Sequence, residues 1–243
     1  MGTLYVVGTP IGNLEDITLR AIRVLREVDL IAAEDTRVTR KLLAAHQIRT
    51  PLTSYHEFTA PRKLQRLAQH LAAADLALVS DAGMPGLSDP GFSLISAAIE
   101  MGMPVVPIPG PSAILSALVV SGLPMHAFCF LGFLPRKPAE RRRLLAGFDD
   151  SSHTTIVFES PHRVTAALRD VATTLGADRQ LVIARELTKK FEEVIRGTAG
   201  ELAERFASQS PRGEFTLVIG AGGRGKGEGG GMGGKGKGER GRG

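Results

Sequence analysis

Three short segments carry residue types that chemistry requires. The longest is Ser80-Asp81-Ala82-Gly83-Met84-Pro85-Gly86-Leu87-Ser88-Asp89-Pro90-Gly91, in which five of twelve residues are glycine or proline and two are aspartate. It follows an apolar run and precedes a helical pattern, where a tight connection needs only a few residues. Glycine lets a backbone approach a ligand closely, and the two carboxylates are suited to a cation or to polar groups. The plain alternative is a long turn closed by Asx caps. The second segment, Gly8-Thr9-Pro10-Ile11-Gly12-Asn13, spaces its glycines too closely for the dinucleotide fingerprint G-x-G-x-x-G, which disfavours an ordinary NAD site. The third, Pro109-Gly110-Pro111-Ser112-Ala113, falls short of a nucleophile elbow because Ile114 stands where glycine is needed. Ser112 reads instead as a helix N-cap whose neighbouring amides can face a ligand.

Other chemistries are excluded or weakened. The six histidines are scattered singly, without ligand spacing, so no catalytic metal is expected. His46 and His70 read as surface or partly packed helix residues. Cys129 lies in an apolar run and reads as structural; as the one cysteine it forms no internal disulfide, which favours a reducing compartment. Gly229, Gly234 and Lys235 match much of a phosphate-binding loop, but Gly236 replaces the required Ser or Thr and no strand or helix flanks them.

These loops need elements to hold them. Thr3–Val7, Leu30–Ala33, Leu76–Ser80 and Val105–Ile108 read as buried parallel strands, and helical patterns separate them. Leu19, Ile22 and Leu25 recur with arginines between them, after a cap at Asp16 or Thr18; Leu64, Leu67, Ala68 and Leu71 follow Pro61. The pattern pauses at Ser121-Gly122-Leu123-Pro124 and then resumes. Phe128–Leu131, Thr154–Phe158, Gln180–Ala184, Glu193–Arg196 and Phe215–Ile219 read as strands, with a helix over Val164–Leu175 stopped by Gly176. The expectation is an α/β fold of two lobes, 1–120 and 121–219, with a parallel sheet in the first, a mixed sheet in the second and the site in the cleft between them.

With 243 residues, 43% of them hydrophobic and 14 of them proline, the chain is neither disordered nor a coiled coil. No apolar run approaches the ~18 residues of a membrane span, and the N-terminal residues lack a signal-peptide pattern. A cytoplasmic protein without membrane attachment is expected. The net charge of +5 invites a nucleic-acid reading, but from Gly220 onward 24 residues contain 14 glycines, six basic and two acidic side chains. That stretch, 220–243, reads as a disordered tail. The other 219 residues hold 24 basic against 23 acidic side chains, so the body is nearly neutral.

The strings VGTPIGN, AEDTR, SYHEF, SDAGMPGLSDPG, PGPSA, GFLPRK, FESPHR and ARELTK together resemble the tetrapyrrole-methylase superfamily. Within it they are most similar to the branch that methylates ribose 2′-oxygens of ribosomal RNA. The resemblance implies a two-lobed S-adenosylmethionine-dependent methyltransferase that forms a homodimer. Its partner would be 16S rRNA in the small ribosomal subunit, modified on a cytidine of the decoding region. Cofactor contacts carry over onto Pro10, Asp81, Gly83, Met84, Ser112 and Ala113 in the first lobe. In the second they fall on Ser160, Ala184 and Thr216, and near Glu159.

Methyl transfer from a sulfonium to an oxygen needs two aligned reactants and a proton acceptor. Glu159, His162 and Glu186 are candidate bases because they lie at or after second-lobe strands; an ion pair with Arg163 or Arg185 is the structural alternative. Arg136, Lys137, Arg163, Lys189 and Lys190 are candidate RNA contacts, and Arg141, Arg142 and Arg143 read either as phosphate ligands or as a solvated helix face. The basic tail would add weak, salt-dependent RNA affinity or serve only as a solubilising end. Two other functions fit less of the sequence: methylation of a small tetrapyrrole, and a non-catalytic RNA-binding assembly factor that keeps the fold.

Overall fold

Short apolar runs ending in glycine- or acid-bearing loops form the first sheet. The computed structural model describes residues 1–56, 60–149 and 152–222. Strands β1 (Leu4–Val7), β2 (Leu30–Ala33), β3 (Leu52–Ser54), β4 (Leu76–Val79) and β5 (Val105–Ile108) pair in the order β3-β2-β4-β1-β5. Every pairing is parallel, and helices cover both faces, as an all-parallel sheet requires. Helices α1 (Leu19–Glu27) and α2 (Thr36–Ala45) pack on one face around Val24, Leu25, Leu42 and Leu43. On the other face, α3 (Pro61–Leu71) and α4 (Phe92–Glu100) supply Leu67, Leu71, Leu94 and Ala98. Thr18 caps α1 by accepting from the Ala21 amide. Strand β3, three residues beginning after Pro51 on the sheet edge, was not expected from the sequence.

Helix α5 (Ala113–Ser121) leaves the end of β5 and packs Ile114, Ala117 and Leu118 on the second sheet, against Ile156, Val182 and Val218. Burying Ile114 or Leu118 contributes roughly 1.5–3 kcal/mol each, so this helix fastens one sheet to the other. The pause at Ser121–Pro124 marks the end of α5, yet the helix itself already lies on the second sheet.

That sheet contains β6 (Phe128–Phe133), β7 (Thr154–Glu159), β8 (Gln180–Arg185), β9 (Glu193–Thr198) and β10 (Phe215–Ile219), in the order β6-β7-β10-β8-β9. Strands β6 and β7 are parallel and the other pairings antiparallel. Helices α6 (Pro138–Ala146), α7 (Val164–Leu175) and α8 (Ala199–Ala207) cover the face opposite α5. Gly176 stops α7 with φ of 97°, a left-handed value that glycine tolerates.

Helix α8 opens with a capping box. Thr198 Oγ1 accepts from the Glu201 amide at 3.3 Å, and a Glu201 carboxylate oxygen accepts from the Thr198 amide at 2.8 Å. Thr198→Ala is expected to lower stability by about 1 kcal/mol in urea unfolding; an unchanged midpoint would show that the box contributes nothing.

Arg141 corrects both sequence readings of the Arg141–Arg143 cluster. Its side chain is buried and pairs with Asp170 of α7 at 2.5 Å, so it neither faces solvent nor reaches a phosphate. Arg142 pairs with the same carboxylate at 3.1 Å from a half-exposed position. The tail expected from Gly220 lies, from residue 223 onward, outside the described residues. Among the described residues, no helix is long and apolar enough to cross a membrane.

Candidate active site

Three loops leave the carboxyl edge of neighbouring strands β4, β1 and β5, where open parallel sheets bind ligands. Backbone contact knits them together. The Thr9 amide donates to the Gly83 carbonyl at 2.9 Å, the Gly83 amide returns a bond to Thr9 at 3.0 Å, and Thr9 Oγ1 donates to the Ser80 carbonyl at 3.1 Å. Gly8 and Gly110 touch main chain to main chain: a Cβ on Gly110 would lie 2.8–2.9 Å from the Gly8 backbone. Gly83 and Gly86 adopt φ near +80° and +86°, and Ser88 follows at +66°. A non-glycine residue held there is backbone strain of the sort found at binding sites.

Between these loops and the near edge of the second sheet lies a cavity of about 360 Å³, within the roughly 300–1,000 Å³ of small-molecule sites. Asp81, Gly83, Met84, Ser112 and Ala113 line it from the first sheet, and Ser160, Ala184 and Thr216 from the second. Of the nine residues assigned to the cofactor by resemblance, Pro10 alone is not on the wall; its neighbour Ile11 is. Phe133, Phe158 and Phe215 supply apolar surface, with Phe158 edge-on to Phe133 at 5.7 Å. Ser112 caps α5 by accepting from the Leu115 amide, as its position in PGPSA implied. The first-turn amides of a helix have no partner within the helix and favour polar ligand atoms.

Glu159 ends β7 inside this wall and is 2% exposed. One oxygen accepts from the Ser160 amide at 3.0 Å. The other stands 3.1 Å from the Arg163 guanidinium yet accepts no hydrogen bond, because Arg163 directs N–H groups to the Leu134 and Pro135 carbonyls. Burial raises the Glu159 pKa, against the opposing pull of the Ser160 amide, Arg163 and Arg141. A buried carboxylate oxygen without a hydrogen bond is free to accept one from water or from a bound ligand.

The other two candidate bases are placed differently. His162 is exposed and does not line the cavity. Glu186, at φ +50°, does not line it either; it accepts from the Glu214 amide at 2.9 Å and from Lys189 at 3.1 Å. Its partial burial, which alone would raise the pKa, is outweighed by those bonds and by Arg185, so the pKa is lowered. The pair is thus with Lys189 rather than Arg185. Of the five candidate RNA contacts, Arg136 and Lys190 are exposed, Lys137 pairs with Glu140, Arg163 with Glu159, and Lys189 with Glu186 and Glu214.

Two further carboxylates complete the wall: Glu34, which the sequence reading did not single out, and Asp89, one of the two aspartates of the 80–91 segment. Glu34 directly follows β2, and Asp89 lies in the long β4–α4 loop beside Ser80. A glutamate one residue beyond a parallel strand was a legible signal, because that is the edge where ligands bind. Glu34 accepts from the Asp81 amide at 3.2 Å, and Asp81 from the Asp35 amide at 2.9 Å. Burial, opposed by the Asp81 amide bond, raises the Glu34 pKa, and the Asp81 charge adds to the rise. Among the described residues, no group of three His, Cys, Asp or Glu is arranged to hold a metal ion.

The residues fit S-adenosylmethionine. The phenylalanines offer apolar surface to the adenosine, and the close Gly8–Gly110 approach holds together the loops that carry Gly83, Ser112 and Ala113. The Glu159 oxygen without a hydrogen bond and the α5 first turn suit polar groups. Comparison with known proteins agrees. The family described as "Tetrapyrrole (Corrin/Porphyrin) Methylases" matches residues 3–203. A Halalkalibacterium halodurans protein named ribosomal RNA small subunit methyltransferase I is 49% identical over 223 residues, covering 91% of this chain and 77% of that one. A Synechocystis protein of the same name is 50% identical over 220 residues, covering 90% of this chain and 79% of its own. Among solved structures, uroporphyrin-III C-methyltransferase from Thermus thermophilus, complexed with S-adenosylhomocysteine, shares the fold with a TM-score of 0.62 at 21% identity, covering 90% of this chain and 97% of that one. With the parallel sheet, the mixed sheet and the cavity between them, these matches place the chain in the tetrapyrrole methylase family, as an S-adenosylmethionine-dependent methyltransferase.

Proposed function

We propose that this chain methylates the ribose 2′-oxygen of a cytidine in the decoding region of 16S rRNA, on the small ribosomal subunit. What carries the reading is that relatives sharing about half their residues over nine-tenths of the chain bear the name ribosomal RNA small subunit methyltransferase I. When bound, S-adenosylmethionine supplies an electrophilic methyl group on a cationic sulfur. The residues proposed to hold it are Asp81, Gly83, Met84, Ser112 and Ala113 on one side, and Ser160, Ala184 and Thr216 on the other, with Pro10 behind them. Glu159, already flanked by Arg163, is suited to accept a hydrogen bond from the donor. Positioning of this kind supplies much of a displacement rate, because two reactants become one oriented pair.

The RNA is proposed to lie against Arg136 and Lys190, the exposed cations of the five that form no ion pair among the described residues. Lys137, Lys189 and Arg163 are proposed to act beside them, at the cost of their present ion pairs. A homodimer is proposed as well, supported by exposed Leu115 and Val119 one turn apart on α5 and by exposed Phe128 on edge strand β6.

The test is incubation with methyl-labelled S-adenosylmethionine and small subunits from cells lacking the modification, followed by digestion to nucleosides. Label in 2′-O-methylcytidine is expected. Label confined to a base, or none in RNA with turnover of a corrinoid instead, would overturn the reading.

A further inference from the structure

A second hollow of about 620 Å³ opens beside the donor cavity. Glu34, Ser88 and Asp89 line both spaces, so these three residues form the wall between them. The hollow extends to His56, Gly86 and Phe92. Phe92 is 74% exposed, an aromatic face turned to solvent at the rim. Unpaired bases stack on such faces.

We propose that the second hollow seats the acceptor nucleotide, its base against Phe92, and that Asp89 takes the proton from the acceptor hydroxyl. The inference rests on the proposed 2′-O-methylation. A hydroxyl seated in the second hollow reaches a methyl group in the donor cavity past the shared wall, and Asp89 is on that wall. Glu159, buried on the far side and flanked by Arg163, is not. The atoms balance. A C–O bond forms as the methyl–sulfur bond breaks, the bonding pair stays on sulfur, and the hydroxyl proton passes to a carboxylate oxygen of Asp89. Glu34, on the same wall, is the neighbour through which that proton returns to solvent.

The charges around Asp89 suit a base. Burial and the nearby carboxylates of Glu34 and Asp81 push its pKa up to about 7, opposed by the Ser80 hydroxyl. Groups that act through those neighbours are His56 and Asp35 beside Glu34, and Arg37 beside Asp81. A base of this pKa is largely ionised just above neutrality and still has useful proton affinity. As an acceptor it works in its deprotonated form, so transfer should slow as pH falls through about 7.

The test is single-turnover methyl transfer to small subunits against pH, with S-adenosylmethionine affinity measured separately by calorimetry. Asp89→Asn is expected to keep donor affinity within about threefold and to slow transfer about 100-fold or more, the usual contribution of a positioned base. Glu34→Gln removes a like charge, so the acidic limb of its profile should move to lower pH. Phe92→Ala should raise the KM for subunits tenfold or so while leaving donor affinity alone. Transfer by Asp89→Asn within tenfold of wild type would overturn the proposal. So would an acidic limb that stays put in Glu34→Gln, which also decides the matter if Asp89→Asn does not fold. If wild type itself places no methyl group on ribose, the underlying function fails; if it does and these variants behave as wild type, the assignment of Asp89 alone fails.

Discussion

Gly110→Ala is expected to abolish donor binding, lowering affinity for S-adenosylhomocysteine at least 100-fold in calorimetric titration. The new Cβ would stand 2.8–2.9 Å from the oxygen, carbon and Cα of Gly8, all backbone atoms that have no rotamer to relieve the contact. The β1 and β5 loops would have to part, and they carry Ser112 and Ala113 on one side and the Thr9–Gly83 bridge on the other. A loss of 100-fold is about 2.8 kcal/mol, the size that overpacking a tight contact produces. Gly102→Ala provides the contrast. Gly102 sits at φ +68° between α4 and β5 with nothing within 4 Å of its added Cβ. It should lose only about 1–2 kcal/mol of stability through backbone strain, with donor affinity unchanged. Equal binding losses in both variants would show that the slot does not depend on the Gly8–Gly110 approach.

Asp170→Ala should be strongly destabilising, by about 3–5 kcal/mol. Asp170 holds Arg141 at 2.5 Å, and the Arg141 side chain is only 4% exposed, so truncation leaves a guanidinium buried without its counter-charge. Arg141 also donates to the Pro135 and Arg136 carbonyls, the loop that Arg163 grips through Leu134 and Pro135. Loss of the pair should therefore loosen the β6–α6 loop next to cavity residues Phe133 and Glu159. In a domain of this size each kcal/mol lowers Tm by roughly 2–4 °C, so a fall of about 6–20 °C is expected by calorimetry. Replacing both partners together, Arg141→Met with Asp170→Leu, should recover most of the loss, because no unpaired charge then remains. A double variant as unstable as Asp170→Ala would show that the pair does more than balance charge.

The strands were legible because buried parallel strands read as continuous apolar runs, and Leu76-Ala77-Leu78-Val79 is one, fully buried. Edge strand β3 was not: its three residues are half-buried and begin after Pro51. Strand β6 continues past Leu131 through Gly132 at φ +67°, a bulge that alternation does not announce. Helix α8 was not read from the sequence, although Thr198-x-x-Glu201 carries its start signal. Helix α5 is apolar nearly all round, so its period could not say which face is buried or that the buried face belongs to the other sheet.

The site divides in the same way. Motifs located the loops, and eight of nine residues carried over from the resemblance line one cavity. Meetings between distant segments were not readable. Glu34 and Asp89 lie 55 positions apart and share a wall, and Arg141 finds Asp170 29 positions on. No local pattern encodes either, since the register of the sheet and the crossing of α6 over α7 bring them together. For the same reason His162 and Glu186, adjacent in sequence to cavity residues, face elsewhere.

The most direct test of a methyl donor held between the two sheets is a crystal structure of the protein with S-adenosylhomocysteine. The ligand is expected between the Gly83–Met84 and Ser112–Ala113 segments on one side and Ala184 and Thr216 on the other, with a ligand donor on the free Glu159 oxygen. Ligand density outside this cavity, or an empty cavity in crystals grown at saturating ligand, would contradict it.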